Sequence, residues 1–328
     1  MKAIVYEKYG SPDVLGLAEV EKPCPKENEV LIKVRAASLN ALDWRLMRGK
    51  PFVVRLMMGG IFKPKYTRPG RDFAGVVEDV GKKVIQFKPG DEVFGVASGT
   101  CAEYVCADEN NIVLKPEDIS FEKAAAVPVA AITALQGLRD KGLIKPGQKV
   151  LIDGSGGGVG TFAVQIAKSF GTEVTAVCST GNLETARSIG ADHIIDYTKV
   201  DFSKSGRLYD LIFGANAYHP IFDYRRALDR NGIYVGAGGG NKSIILMVLK
   251  MLLQSLLSII SKKKMRTFMA KITKTDLANL KDLLITRKIV PVIDRSYPLS
   301  KTAEAMRYLE EGHAKGKIII TIENNDKT

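Results

Sequence analysis

At 328 residues the chain has room for two domains of about 150 residues each. With 45 % hydrophobic and 26 % charged residues it is not a disordered chain, and no fixed period points to a collagen or solenoid array. Lys and Arg outnumber Asp and Glu by 48 to 36, and a net +12 fits nucleic acid, an anionic membrane or a phosphate-bearing ligand equally well. Cys24, Cys101, Cys106 and Cys178 are scattered and form no C-x-x-C pair, so a disulfide framework is not expected and a reducing compartment is the default. Met1-Lys2-Ala3-Ile4-Val5-Tyr6 runs directly into a strand pattern without the apolar stretch of a signal peptide, so the expected location is cytoplasmic.

Residues 1–120 are expected to be mostly strand. Val30, Ile32, Val34 and Ala36 alternate with Glu29, Lys33 and Arg35, and Pro69-Gly70, Gly75, Gly81 and Pro89-Gly90-Asp91 punctuate further short runs. From 121 the rhythm changes. An alanine-rich helix is predicted over 124–138, a turn at Lys145-Pro146-Gly147, and a buried strand over 150–152. Strands are predicted over 173–178, 193–195, 210–213 and 233–237, with helices ending at 170 and spanning 183–189 and 221–228 between them. That alternation means βαβ units and a doubly wound parallel sheet. The chain then returns to mixed structure, with helices over 274–287 and 300–311 and strands over 290–293 and 317–322.

Between the strand at 150–152 and the next helix lies Gly154-Ser-Gly156-Gly-Gly158-Val-Gly160. Small residues let a backbone approach a pyrophosphate, and the helix that opens there points its N–H groups and dipole at the anion. The spacing is one residue longer than G-x-G-x-x-G when counted from Gly154, and regains it from Gly156 or Gly157. Where an NAD site usually carries an acid, the chain has Val177-Cys178-Ser179-Thr180-Gly181-Asn182. Two hydroxyls and an amide suit a 2′-phosphate, which favours NADPH with NADH as the alternative; the same hydroxyls also serve to cap a helix.

With these segments in view, the sequence resembles the medium-chain dehydrogenase/reductase superfamily, in its zinc-free quinone-oxidoreductase-like branch. The resemblance rests on Ser38-Leu-Asn40-Ala-Leu-Asp43-Trp44, Gly70-Arg-Asp72-Phe-Ala-Gly75-Val-Val, Lys88-Pro-Gly-Asp-Glu-Val-Phe-Gly95 and Ala124-Ala-Ala-Val-Pro128. The glycine loop, Ile195-Asp-Tyr197 and Gly312-His-Ala-Lys-Gly316-Lys complete it. It implies a GroES-like β domain over 1–122, a Rossmann domain over 123–272, and a segment over 273–328 that returns to close the β domain. It further implies Asn40 and Thr133 near the nicotinamide end, Gly156, Gly158 and Val159 at the pyrophosphate, and Ser179 and Tyr197 toward the adenosine phosphate. His313 would lie on the returning segment, and relatives are commonly homodimers.

The zinc alcohol dehydrogenases of the superfamily carry a Cys, a Gly-His-Glu and a second Cys where this chain has Asn40, Arg71-Asp72 and the neighbourhood of 127–130. His193, His219 and His313 are its only histidines, and none stands at a ligand spacing, so no metal is expected. The resemblance then implies hydride donation from NADPH to a quinone or an α,β-unsaturated carbonyl, with Asn40 positioning. Gly181 stands where relatives often carry a base after the Ser-Thr pair. The stretch Gly49-Lys-Pro-Phe52 lacks a tyrosine that many relatives have, and no proton donor is assigned.

A last segment stands apart. Residues 244–260 are 13 apolar out of 17, with Lys250, Gln254, Ser255 and Ser258 on one arc, the pattern of an amphipathic helix about 26 Å long that is short for a membrane span. Over 241–281 there are nine Lys and Arg against one Asp, a local +8. The segment would line a substrate cleft or subunit contact, lie peripherally on an anionic membrane, or be a buried helix with a solvated basic loop. An NADP(H)-binding regulatory or membrane-associated protein with little catalysis is therefore the alternative to the reductase. Nucleic acid is not expected, because no aromatic-interleaved basic motif is present.

Overall fold

The computed structural model describes residues 1–56, 60–216, 219–237 and 262–322. The amphipathic segment expected over 244–260 lies outside them. The chain divides into two compact units: Met1–Val129 with Ile272–Ile285 and Pro291–Thr328, and Ala130–Lys271 with Thr286–Val290.

In the first unit, β1 (Lys2–Val5) and β2 (Gly16–Glu19) form an antiparallel pair. The long β3 (Glu29–Leu39) organises the rest. It pairs with β4 (Asp72–Val80) and with β6 (Tyr104–Asp108), and β4 continues through β5 (Glu92–Val96) to β7 (Ile112–Leu114). On the other side of β3 comes β15 (Lys317–Thr321), antiparallel to it and parallel to β14 (Ile293–Pro298). The alternation noted in β3 holds to Val34: Val30, Ile32 and Val34 are fully buried and face a core with Phe73, Val93 and Ile318, and past a register shift it is Ala37, not Ala36, that joins them. Residues 317–321 thus complete the sheet, so the C-terminal segment closes this β domain as the resemblance implies.

Two features of this unit depart from the expected strand-only reading. The helix Ala41–Arg48 follows β3 directly, begun by Asn40 and ended by Gly49 in the left-handed region at φ 59°. Its start is legible physically: the Asp43 carboxylate, three residues in, reaches back to the Asn40 N–H at 2.7 Å, half of a capping box. The strand expected over 290–293 instead forms as Ile293–Pro298.

The second unit is a parallel sheet. Its strands in chain order are β8 (Lys149–Asp153), β9 (Glu173–Cys178), β10 (His193–Asp196), β11 (Tyr209–Gly214), β12 (Leu228–Gly236) and β13 (Lys264–Thr267). They lie side by side as β10-β9-β8-β11-β12-β13, all parallel. Numbered from β8, that is the order 3-2-1-4-5-6 of a doubly wound dinucleotide fold, with the reversal of strand order between β8 and β11. The helix expected over 124–138 is interrupted. It forms as Phe121–Ala125 and Pro128–Gln136, then widens at Gly137–Lys141, because Pro128 cannot donate within a continuous helix. Lys264–Thr267, expected to belong to a basic loop, is a strand at the edge of the sheet; Met265 is buried while Lys264 stays exposed, and lysines on an edge discourage further pairing. Lys263 is also anchored, donating to the Arg225 and Leu228 carbonyls at 2.9 and 2.7 Å. No helix among the described residues is long and apolar enough to cross a membrane.

Candidate active site

In the second unit the glycine loop occupies the turn from β8 into the helix Gly158–Ser169, beside the reversal of strand order. Each glycine has its own reason to be there. Gly154 sits at φ 80°, which disfavours any side chain. A Cβ on Gly156 would stand 2.6 Å from the Asn182 amide, and one on Gly160 would stand 2.0 Å from the Gly154 carbonyl oxygen. By contrast a Cβ on Gly157 would meet nothing nearer than 3.7 Å, so the helix entrance is open at its N-cap. The first-turn N–H groups, those of Gly158 and Val159 among them, have no intrahelical acceptors and carry the positive end of the helix dipole. Gly154, Ser155 and the Ser155 hydroxyl all donate to the Val177 carbonyl at 3.0–3.2 Å, locking the loop to β9. Such a cradle fits a dinucleotide pyrophosphate.

At the end of β9, Ser179 Oγ accepts from the Asn182 side chain at 3.0 Å, while Asn182 Oδ1 is buried with no partner among the described residues. Tyr197, 54 % exposed, is held by its backbone N–H on the Cys178 carbonyl, so Gly156, Ser179 and Tyr197 belong to one neighbourhood. The absence of an acid here needs correcting. β10 is in register with β9, Asp196 opposite Cys178, and it brings a carboxylate to the same place. Thr180 Oγ1 donates to Asp196 Oδ2 at 2.6 Å, and the Thr198 N–H and hydroxyl donate to Oδ1 at 3.0 and 2.7 Å. These hydroxyl bonds, Thr180 first, hold the Asp196 carboxyl below the usual carboxylate range. Asp153, at the end of β8, is taken up by the Tyr224 hydroxyl. Thr133 lies half-buried on Pro128–Gln136 in this unit.

In the first unit the strand order β15-β3-β4 gathers a buried polar cluster that no stretch of sequence contains. Ser38 and Asn40 come from the end of β3, Asp72 from the start of β4 and Lys317 from the start of β15. Asp72 is fully buried and takes four donors: Ser38 Oγ at 2.9 Å, Asn40 Nδ2 at 2.9 Å, the Val129 N–H at 3.0 Å and Lys317 Nζ at 3.2 Å. Lys317 also donates to Asn40 Oδ1 at 2.7 Å and to the Leu39 carbonyl at 3.2 Å. Asn40 is therefore fixed at both ends of its amide, with its nitrogen on Asp72 and its oxygen on Lys317. Of the others, Ser38, Asp43 and Lys317 had been noted only as letters within motifs. His313 is exposed, just past Gly312, and is not part of this cluster.

Asp43 lies beside the cluster, accepting from the Asn40 N–H and, at 3.2 Å, from Gly70 N–H. Burial, and after it the charge of Asp72, lifts its pKa from 3.8 to about 6, against the opposing pull of the Asn40 N–H, Arg71 and Lys317. Tyr6 and Cys101 also face it. A carboxyl raised on folding adds stability that is fully present below pH 3.8 and is lost as pH climbs through about 6. The stability advantage of wild type over Asp43→Asn should accordingly fall by about 2 kcal/mol between about pH 4.5 and about pH 7.5. Urea unfolding of both proteins at each pH measures this; a pH-independent difference would contradict it.

Comparison with known proteins agrees with this architecture. Residues 26–117 match the family described as alcohol dehydrogenase GroES-like domain, and residues 189–320 match the one described as zinc-binding dehydrogenase. The chain is 36 % identical to the quinone-oxidoreductase homolog, chloroplastic, of Spinacia oleracea, covering 98 % of each protein. It is 34 % identical to the NADPH-dependent alkenal/one oxidoreductase, chloroplastic, of Arabidopsis thaliana, over 98 % of this chain and 79 % of that protein. The structure of the quinone oxidoreductase from Coxiella burnetii superimposes with a TM-score of 0.83 at 30 % identity, covering 98 % of this chain and 99 % of the other. With its dinucleotide fold, its closed β domain and relatives similar over 98 % of this chain, the chain belongs to the quinone-oxidoreductase-like branch of the medium-chain dehydrogenase/reductase superfamily, a superfamily of oxidoreductases.

Proposed function

We propose that this protein is an NADPH-dependent reductase that passes hydride, without a metal, to a quinone or to the β-carbon of an α,β-unsaturated carbonyl. The observation that carries the reading is the open glycine cradle between β8 and the helix Gly158–Ser169, at the reversal of strand order. When bound, the reduced nicotinamide supplies the hydride; the chain's task is to seat it and to orient the acceptor. The N–H groups of the loop hold the pyrophosphate, with Ser179 and Tyr197 toward the adenosine end.

The choice of a metal-free reaction rests on what stands at the ligand positions. Asp72 already accepts from Ser38, Asn40, Val129 and Lys317, and Asn40 is committed to Asp72 and Lys317. Among the described residues, no three His, Cys, Asp or Glu side chains converge on a point a metal would occupy. An alcohol needs a Lewis acid to ionise before it gives up hydride, whereas quinones and enones are already electrophilic.

The preference for NADPH over NADH is proposed to be modest. Ser179 and the NADPH dependence that the Arabidopsis relative is named for favour the phosphate, but Asp196 occupies Thr180 and places a negative charge beside it. Four free cysteines fit the proposed reducing, cytoplasmic setting. Anaerobic oxidation of NADPH and NADH against a panel of quinones and enones tests the proposal. Turnover with both cofactors and a several-fold advantage for NADPH are expected; bound cofactor that no acceptor oxidises would refute it.

A further inference from the structure

Arg71 immediately precedes Asp72 and lines a crevice of about 10 Å³ together with Tyr6, Asp43, Tyr66, Arg68 and Ser98. Its guanidinium lies over the Tyr66 ring, 5.2 Å from the centroid. Nη2 is buried and has no hydrogen-bond acceptor among the described residues. A guanidinium has five N–H donors, and a buried one with no protein acceptor favours an oxygen placed beside it. The crevice has space for about one water-sized centre, which suits an oxygen atom and excludes a ring.

Gly70, at φ 94°, would place a Cβ 2.4 Å from Thr100 Oγ1, so the backbone turn that presents Arg71 requires glycine before it. Asp43 offsets the charge of Arg71 through space without being its hydrogen-bond partner, its own oxygens accepting from Asn40 and Gly70. The charge of Asp43 thus faces the guanidinium while Nη2 has no acceptor among the described residues.

We propose that Arg71 Nη2 is the donor that receives the carbonyl oxygen of the acceptor, and stabilises the negative charge that develops there on reduction. This rests on the reductase reading above. In the step it serves, hydride adds to the acceptor carbon and the dihydronicotinamide is oxidised. The π electrons of the acceptor move onto the oxygen held by Arg71, and water supplies the proton that completes the product. Arg71 acts through its hydrogen bond and its charge.

The test uses the full chain with Arg71→Met and Arg71→Lys. With an enone that wild type reduces, Arg71→Met should lower kcat by about 10²- to 10³-fold, the effect of losing one oxyanion donor. Cofactor affinity, read from nicotinamide fluorescence, should stay unchanged. Arg71→Lys should recover part of kcat, since an ammonium donates without the planar fork. Difference absorbance with 4-nitrophenolate, an oxyanion probe that needs no turnover, should show at least about tenfold weaker binding to Arg71→Met. Wild-type-like kcat together with unchanged phenolate binding in Arg71→Met would overturn the proposal. Should wild type oxidise no cofactor with any acceptor, the reductase reading falls, and the phenolate measurement still decides whether Arg71 binds an oxyanion. Should Arg71→Met not fold, Arg71→Lys with undiminished kcat and phenolate affinity would overturn it instead.

Discussion

Replacing Lys317 by methionine is expected to cost the protein about 3–5 kcal/mol, because it removes one partner of a buried ion pair and leaves the other charged. The Asp72 and Lys317 side chains are 0 % and 3 % exposed, so water cannot take the place of the missing ammonium. Ser38, Asn40 and Val129 would still donate to Asp72, but none brings a charge, and Asn40 Oδ1 would lose its donor. The companion variant separates the causes. Adding Asp72→Asn to Lys317→Met removes the stranded charge and should restore part of the loss. Equilibrium urea unfolding measures all three proteins. A Lys317→Met protein within about 0.5 kcal/mol of wild type would show that the cluster is not electrostatically bound together.

The second large effect belongs to the glycine cradle. Gly160→Ala places a methyl group 2.0 Å from the Gly154 carbonyl oxygen and 2.7 Å from Ser155 Cα. Neither is a side chain that can swing aside, so the helix Gly158–Ser169 must move away from the end of β8. Overpacking of this kind costs about 1–3 kcal/mol, and cofactor affinity should fall by more than tenfold as the N–H groups lose their aim. Gly157→Ala is the informative contrast. Its Cβ would have ordinary clearance, 3.7 Å from the nearest atom, and φ there is −88°, which alanine adopts freely. It should fold with wild-type stability yet bind cofactor more weakly, since the methyl group intrudes on the open entrance. Thermal unfolding with and without cofactor reads both effects. Equal loss of stability in the two variants would contradict this division of roles.

The two units were not equally legible in the sequence. Parallel strands buried on both faces are short apolar runs separated by helices, and the glycine loop marks where the first of them ends, so β8 to β12 could be placed by local pattern. The edge strand β13 was hidden by Lys264, Arg266 and the lysines before it, which let the stretch pass for a solvated basic loop, one of the three readings open to it. The helix Ala41–Arg48 was missed inside a region of strands, although Asn40 and Asp43 stand at the spacing of a capping box and could have announced it.

The polar cluster was harder to foresee for a physical reason. Lys317 and Asp72 are 245 residues apart, and what joins them is the insertion of β3 between β15 and β4. The isoleucines after Lys317 announce a buried strand, but lysines are among the residues least often fully buried, so the burial of its own side chain was not announced. The same holds for Asp196: reading along β9 finds only Ser179 and Thr180, while the acid arrives from the neighbouring strand, in register with Cys178. Both cases are contacts across a sheet, which local spacing does not encode. The charge excess that opened the sequence reading is also better defined. Of its dense patch, Lys263 caps two backbone carbonyls and Lys264 guards a sheet edge, so these two lysines have structural employment.

The central claim is that a reduced nicotinamide seated on the glycine cradle gives hydride to an activated carbon. Reduced cofactor carrying deuterium at the transferring C4 position, incubated anaerobically with the protein and an enone, tests it directly by mass spectrometry and NMR of the product. The account predicts one deuterium at the β-carbon of the saturated product for each cofactor oxidised, with the α-hydrogen drawn from solvent. A product without deuterium, or cofactor that binds to the protein and is never oxidised, would contradict it.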